Sequence, residues 1–195
     1  MLDDNQIIRG CRKHKRTAQE ALYKKYAPVL RGICLRYSRN KTEAEDLLQD
    51  GFIKIFLNIN QFSGKGSFEG WLKRIMVNTA ITQFKKNKYH YNIDEVNELK
   101  FADNKEDDNE QKDIKSIILN ADLSKENLLN VVNKLPEGFK MVFNLYIIEK
   151  YSHKEIAKAL KISVNTSKSQ LSRARKLIQK KLYETHIRQL TDKRE

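Results

Sequence analysis

This chain lacks the features that would mark a secreted, membrane-spanning or metal-dependent protein. No apolar run in its 195 residues approaches the roughly 20 needed to cross a bilayer. The N-terminal stretch MLDDNQIIRGCRKHKR has no apolar core followed by a cleavage site, so no signal peptide is expected. There are two cysteines, Cys11 and Cys34, and they form no CxxC pair. The four histidines, His14, His90, His153 and His186, are scattered without metal-ligand spacing. The expectation is a cytoplasmic protein with reduced thiols, no metal, no cofactor and no direct insertion into a membrane. An enzyme acting on nucleic acid would need a carboxylate–metal or nucleophile arrangement, and the sequence offers none, so no catalytic residue is assigned.

What the chain has in excess is positive charge, +13 overall, and its distribution is uneven. Residues 1–91 carry 18 Lys/Arg against 8 Asp/Glu, for +10. Residues 92–126 carry 5 against 11, for −6, and residues 127–195 carry 15 against 6, for +9. Basic domains favour polyanions because neutralising phosphates releases condensed counterions. Charge alone fits DNA, RNA or an anionic membrane surface. The acidic block, including FADNKEDDNEQKD, holds too little apolar surface to offset the entropy of ordering, so it reads as a flexible linker. A short helix is expected near its end, at 114–123. The fold class expected is all-α: two small helical domains, 1–91 and 127–195, on an acidic tether at 92–126.

Within the C-terminal domain, Tyr151 to Leu177 holds two helical patterns that meet at a polar break. Ser152 followed by Glu155 is a capping-box start, and Ile156, Ala157 and Leu160 then share one face. Ile162 and Ser163 interrupt the pattern, and Ser163 can cap a second helix. Leu171, Ala174, Ile178 and Leu182 recur at helical spacing there. The opposite side carries Lys168, Ser169, Gln170, Ser172, Arg173 and Lys176. A short helix, a tight turn and a longer helix with a basic outer face read as a DNA-binding helix-turn-helix. An ordinary hairpin with a solvated face fits the same spacing.

The N-terminal domain reads as helical throughout. Thr17 is expected to cap a helix carrying Ala21, Leu22, Tyr26, Val29, Leu30, Ile33 and Tyr37, with Pro28 kinking it or marking a junction. Thr42 precedes a second helix in which Ala44, Leu48, Phe52 and Ile55 lie along one face, with acidic residues on another. Those carboxylates, Glu43, Glu45, Asp46 and Asp50, have no His or calcium-loop partner. A solvated face and a dock for a basic protein both fit them. Next, Ser63, Gly64, Lys65 and Gly66 form a loop between Phe62 and Phe68, followed by a helix with Trp71, Lys73, Arg74 and Asn78. A glycine loop bordered by aromatics and backed by a basic helix suits single-stranded DNA, whose bases can enter pockets or stack on rings. Trp71 and the phenylalanines fit an ordinary core as well.

Four segments in register carry a family resemblance: AEDLLQDGF (44–52), SFEGWLKRIMVN (67–78), LPEGFKMVFNLY (135–146) and the helix-turn-helix. In this order and spacing the chain resembles a bacterial RNA polymerase sigma factor of the sigma-70 family, extracytoplasmic-function (ECF) group. The resemblance covers roughly 5–90 and 125–185 and implies a sigma-2 domain at 1–91 and a sigma-4 domain at 127–195. It implies binding to core RNA polymerase, at the clamp helices of the beta-prime subunit and at the beta flap. Glu45, Asp46, Gln49 and Asp50 would be the polymerase contacts. It further implies that Phe62, Ser63, Gly64, Lys65, Gly66, Ser67, Phe68 and Asn78 meet the minus-ten element of promoter DNA. Lys168, Ser169, Gln170, Ser172 and Arg173 would meet the minus-thirty-five element. A membrane-bound anti-sigma factor is a further implied partner, and the linker would thread the polymerase cleft. Many members carry glycine where this chain has Lys150 and Lys161, so these lysines must avoid or tolerate a left-handed backbone, at about 1 kcal/mol. The alternative from the residues alone is a helix-turn-helix regulator that binds duplex DNA without polymerase.

Overall fold

The computed structural model describes residues 2–90 and 130–191. The acidic linker expected at 92–126 and the helix expected at 114–123 lie outside the described residues. Helices and turns account for the described secondary structure, with no strand among them, as the all-α expectation required. The chain divides into two compact units, Met1–Lys86 and Asn87–Glu195.

The first unit opens with a helix absent from the reading of the sequence, α1 (Asp4–Arg12). Asp3 starts it through a capping box: its carboxylate accepts from the Gln6 amide at 2.7 Å, and the Gln6 side chain accepts from the Asp3 N–H at 3.0 Å. Ile7, Ile8 and Cys11 are the buried face. Gly10 allows the close approach of α2, because a Cβ there would sit 2.4 Å from the Ala18 Cβ. Helix α2 (Arg16–Tyr37) begins after Lys15, with no side-chain cap, so Thr17 lies inside the helix rather than ahead of it. The left-handed His14, φ 53°, makes the turn that decides this start. Pro28 marks no junction, since α2 runs through it. Both Pro28 and Lys24 are exposed, so water can satisfy the carbonyl that the missing N–H leaves open.

Helix α3 (Lys41–Asn58) is capped by Asn40, which accepts from the Glu43 amide at 2.9 Å; Thr42 is again inside. Ala44, Leu47, Leu48, Phe52 and Ile55 are buried, four of them the residues expected from spacing. A 3-10 turn (Ile59–Gln61) leads into the 62–67 loop, and α4 (Phe68–His90) follows. Leu72, Met76, Val77, Ala80 and Ile81 of α4 are buried, and Met76 meets Cys34 of α2 and lies against Gly51 of α3. Fully burying a Leu, Met, Val or Ile side chain of this kind stabilises by about 1.5–3 kcal/mol.

In the second unit, residues 130–133 are helical and α5 (Glu137–Phe143) continues into a π turn (Asn144–Ile148). Then come α6 (His153–Leu160) and α7 (Val164–Thr191). Ile156, Ala157 and Leu160 of α6 are buried together with Leu171, Ala174, Ile178 and Leu182 of α7 and with Phe139, Val142 and Leu145, and α7 contacts both α5 and α6. The stripe expected from sequence is therefore the core of the unit.

Candidate nucleic-acid interface

The 62–68 loop is held at both ends by rings. Phe62 and Phe68 are buried, with centroids 5.1 Å apart. Trp71 lies 5.5 Å from Phe62 and 6.0 Å from Phe68, and Tyr26 meets Phe68 edge-on at 5.7 Å. Such ring pairs stabilise beyond their buried area, by about 0.5–1.5 kcal/mol each. Phe62 and Phe68 are thus anchors, and their rings are not open for a base to stack on. What the loop presents to solvent is Ser63, Gly64, Lys65, Gly66 and Ser67. Gly64 (φ 78°) and Gly66 (φ 86°) are both left-handed, a conformation glycine takes at no steric cost. Ser67 starts α4 by accepting from the Gly70 amide at 3.3 Å.

Along α4, Ser67, Trp71, Arg74 and Asn78 recur at steps of four, three and four and share one face. Eleven residues of helix span about 16 Å, so this face carries the loop's end continuously to the exposed Asn78. Arg74 is exposed on it, the outward position expected for this basic helix, and Trp71 is half-buried. Lys73 is engaged with Glu69 at 2.6 Å. The loop's entry is also tied to α1, where the Arg12 guanidinium donates to the Phe62 carbonyl at 2.5 Å. Helix α1 is itself fixed to α2 through Asp4, which accepts from Lys25 and from the Tyr26 hydroxyl, each at 2.7 Å. Partial burial works against the Asp4 carboxylate, but these two bonds prevail and hold its pKa below 3.8. Burial and that carboxylate push the Tyr26 phenol up.

On α3 the four expected contact residues do not behave alike. Glu45 forms a two-point ion pair with Arg31, at 3.0 and 3.1 Å, and both are half-exposed. Asp46, Gln49 and Asp50 face solvent. Ile53 and Leu57 continue the line of Asp46 and Asp50 at helical spacing, and are 56% and 75% exposed. The outer face of α3 is therefore acidic at one end and apolar at the other.

In the second unit, both caps of the helix-turn-helix form as expected. The Ser152 N–H donates to the Glu155 carboxylate at 2.8 Å, and the Glu155 amide donates to the Ser152 hydroxyl at 3.3 Å. Ser163 accepts from the Thr166 amide at 2.9 Å. Lys150 (φ 62°) and Lys161 (φ 56°) are left-handed, so both lysines tolerate the backbone that glycine would adopt freely. Lys168 is exposed, and Ser169, Ser172 and Arg173 are half-exposed on the outer side of α7. Gln170 departs from this set. Its amide lies beside Gly138 of α5, where a Cβ would come within 3.3 Å of it. Asn165 and Lys176, both exposed, extend the outer face at either end. Ser167 is fully buried and its hydroxyl lies 2.9 Å from Nδ1 of His153, which stacks on Tyr146 at 4.5 Å.

Among the described residues no group of three His, Cys, Asp or Glu could hold a metal, and no helix is long and apolar enough to cross a membrane. Both cysteines are buried, and burial pushes the Cys34 thiol up to about 12, far from a reactive thiolate.

Comparison with known proteins adds two family matches, Sigma-70 region 2 over residues 22–89 and Sigma-70 region 4 over residues 125–178. The chain is 30% identical to the ECF RNA polymerase sigma factor SigW of Bacillus subtilis, over 80% of this chain and 84% of that one. It is 28% identical to the RNA polymerase sigma-H factor of Pseudomonas aeruginosa, over 92% and 93% of the two chains. It is also 28% identical to the ECF RNA polymerase sigma-E factor of Haemophilus influenzae, over 93% and 96%.

Proposed function

The chain belongs to the ECF group of sigma-70 RNA polymerase sigma factors, which direct core polymerase in transcription initiation, and from that premise we propose how its two helical domains divide the work. Residues 1–91 dock on polymerase and hold the minus-ten element, residues 127–195 read the minus-thirty-five element, and residues 92–126 connect them through the polymerase cleft. The observation that carries this reading is the exposed, glycine-shaped Ser63–Ser67 loop, pinned by buried Phe62 and Phe68 and continuous with the Asn78 face of α4. A stand-alone helix-turn-helix regulator would have no use for it.

The loop's backbone and Lys65 receive an unpaired base and its phosphate, and Asn78 contacts a neighbouring base. Outer residues of α7 enter the major groove, with Lys168, Ser169, Ser172 and Arg173 in contact and Gln170 supporting α7 from beside α5. On α3, Asp46, Gln49 and Asp50 meet the beta-prime clamp helices. Ile53 and Leu57 add apolar area to that contact, and Glu45 acts by holding Arg31. The sigma-4 domain also rests on the beta flap. The chain contributes binding and no bond-making step, works in the cytoplasm, and is withheld from polymerase by a membrane-bound anti-sigma factor. Alanine at Lys168 and Arg173 tests the groove assignment: initiation by reconstituted holoenzyme is expected to drop by about tenfold or more. Unchanged initiation sinks it.

A further inference from the structure

A cavity of about 320 Å³ opens between α1 and the entry to the loop, lined by Asn5, Ile8, Arg9 and Arg12 on one side and by residues from Phe62 to Gly64 on the other. That volume is at the lower end of ligand pockets, near roughly 300 Å³. The lining joins chain segments some 50 residues apart, and the Arg12–Phe62 bond holds them together. Ile8 and Phe62 line it but are largely buried, so they form an apolar floor and not an open ring face. Asn5 and Arg9 are exposed and supply polar groups. The Arg9 Nε donates to the Asn5 carbonyl of its own helix at 3.3 Å, which leaves its terminal N–H groups for a ligand.

We propose that α1 forms one wall of the pocket that holds an unpaired base of the opened promoter strand, and that Asn5 and Arg9 read the edge of that base. The inference rests on the reading of the 62–68 loop as base-capturing, and it adds a helix that this reading did not include. A nucleobase has apolar faces and a polar edge, and the cavity sets an apolar floor beside the exposed polar side chains of Asn5 and Arg9. A guanidinium is a donor only, so Arg9 favours an edge with two neighbouring acceptors, as guanine and cytosine have, over adenine with its donor amino group. The Asn5 amide donates and accepts, and adds one bond to either. Arg12 is a positioning residue, since its guanidinium serves the loop.

The test uses holoenzyme reconstituted from the full chain and core polymerase. Single-stranded 12-mers are selected from a random pool, then rescanned with an abasic site at each position in turn. With wild-type protein, one position is expected to lose about tenfold in affinity when its base is removed. Arg9→Ala and Asn5→Ala should reduce both that loss and the base preference at that position by about fivefold or more, leaving other positions unchanged. Arg9→Lys keeps the charge and should still lose the preference, which separates edge reading from a folding defect. Full retention of sensitivity and preference in these variants overturns the α1 wall while the loop reading stands. Uniform weakening at every position identifies a phosphate contact and also overturns it. If wild-type protein shows no sensitive position, the loop reading itself fails and takes this inference with it.

Discussion

Nδ1 of His153, at the start of α6, lies 2.9 Å from the hydroxyl of Ser167, in the first turn of α7. Ser167 is completely buried, so this bond closes the helix-turn-helix from inside. A buried hydroxyl without a partner costs about 1–3 kcal/mol, so the two residues are expected to act as a pair. Ser167→Ala should destabilise the protein by about 1 kcal/mol, and so should His153→Ala, which also loses the stacking on Tyr146. The double variant should cost clearly less than the sum. Additive losses in denaturant titrations contradict the pairing.

Two left-handed lysines make a second prediction. Lys161→Gly and Lys150→Gly should each stabilise by about 1 kcal/mol, because both backbones already sit where only glycine is unstrained. Lys24→Gly, in the interior of α2, should lower stability by about the same amount. A loss of stability at Lys161 would mean that its aliphatic stem contributes more than the strain.

Helix packing at Gly10 is tight enough to be tested by one methyl group. Gly10→Ala sets a Cβ 2.4 Å from that of Ala18, and neither atom can rotate away, so α1 must shift from α2. The expected cost is about 1–3 kcal/mol. Adding Ala18→Gly should recover a good part of it; no recovery in a melting experiment argues against this contact as the cause.

The Asp4 carboxylate predicts a pH dependence. Its folded-state pKa is lowered, so the stability it contributes is present above the unfolded value and fades as pH falls through the folded one, below 3.8. Asp4→Asn should cost about 0.5 kcal/mol near neutral pH, a small figure because Asp4 and Lys25 are more than a third exposed. Wild type and variant should converge in acid. A constant gap down to the most acidic point would exclude the Lys25 and Tyr26 bonds as the source.

On α3, Asp46→Lys with Asp50→Lys should weaken binding to core polymerase by about tenfold or more without lowering stability, since both residues face solvent. Leu57→Ala should weaken it less, through lost apolar area. Glu45→Gln should be read differently, as a small loss of stability from the Arg31 pair. Wild-type affinity in the double reversal refutes the docking face.

Much of the architecture was legible because it depends on local signals. The capping residues Ser152, Glu155 and Ser163, and the Leu171–Leu182 stripe, need only neighbours within one or two turns to act. Helix starts at Thr17 and Thr42 were misplaced because the turn at His14 and the Asn40 side chain decide them. Helix α1 carries the same capping signal in Asp3 and Gln6, but its nine residues are too short for periodicity alone to mark it. Side-chain direction was the hardest feature to read. Gln170 turns to Gly138, Glu45 to Arg31 and Phe68 to Tyr26, each through a partner distant in sequence that periodicity does not reveal.

Division of labour between the two ends of this chain, one on duplex and the other on single-stranded promoter DNA, is separable in a double dissociation. Holoenzymes carrying either Lys65→Ala with Asn78→Ala or Lys168→Ala with Arg173→Ala are titrated onto two probes. One probe is the upstream promoter duplex and the other the downstream non-template single strand. The first pair is expected to weaken only single-strand binding and the second only duplex binding, each by about tenfold. Equal weakening of both probes by either pair contradicts that division.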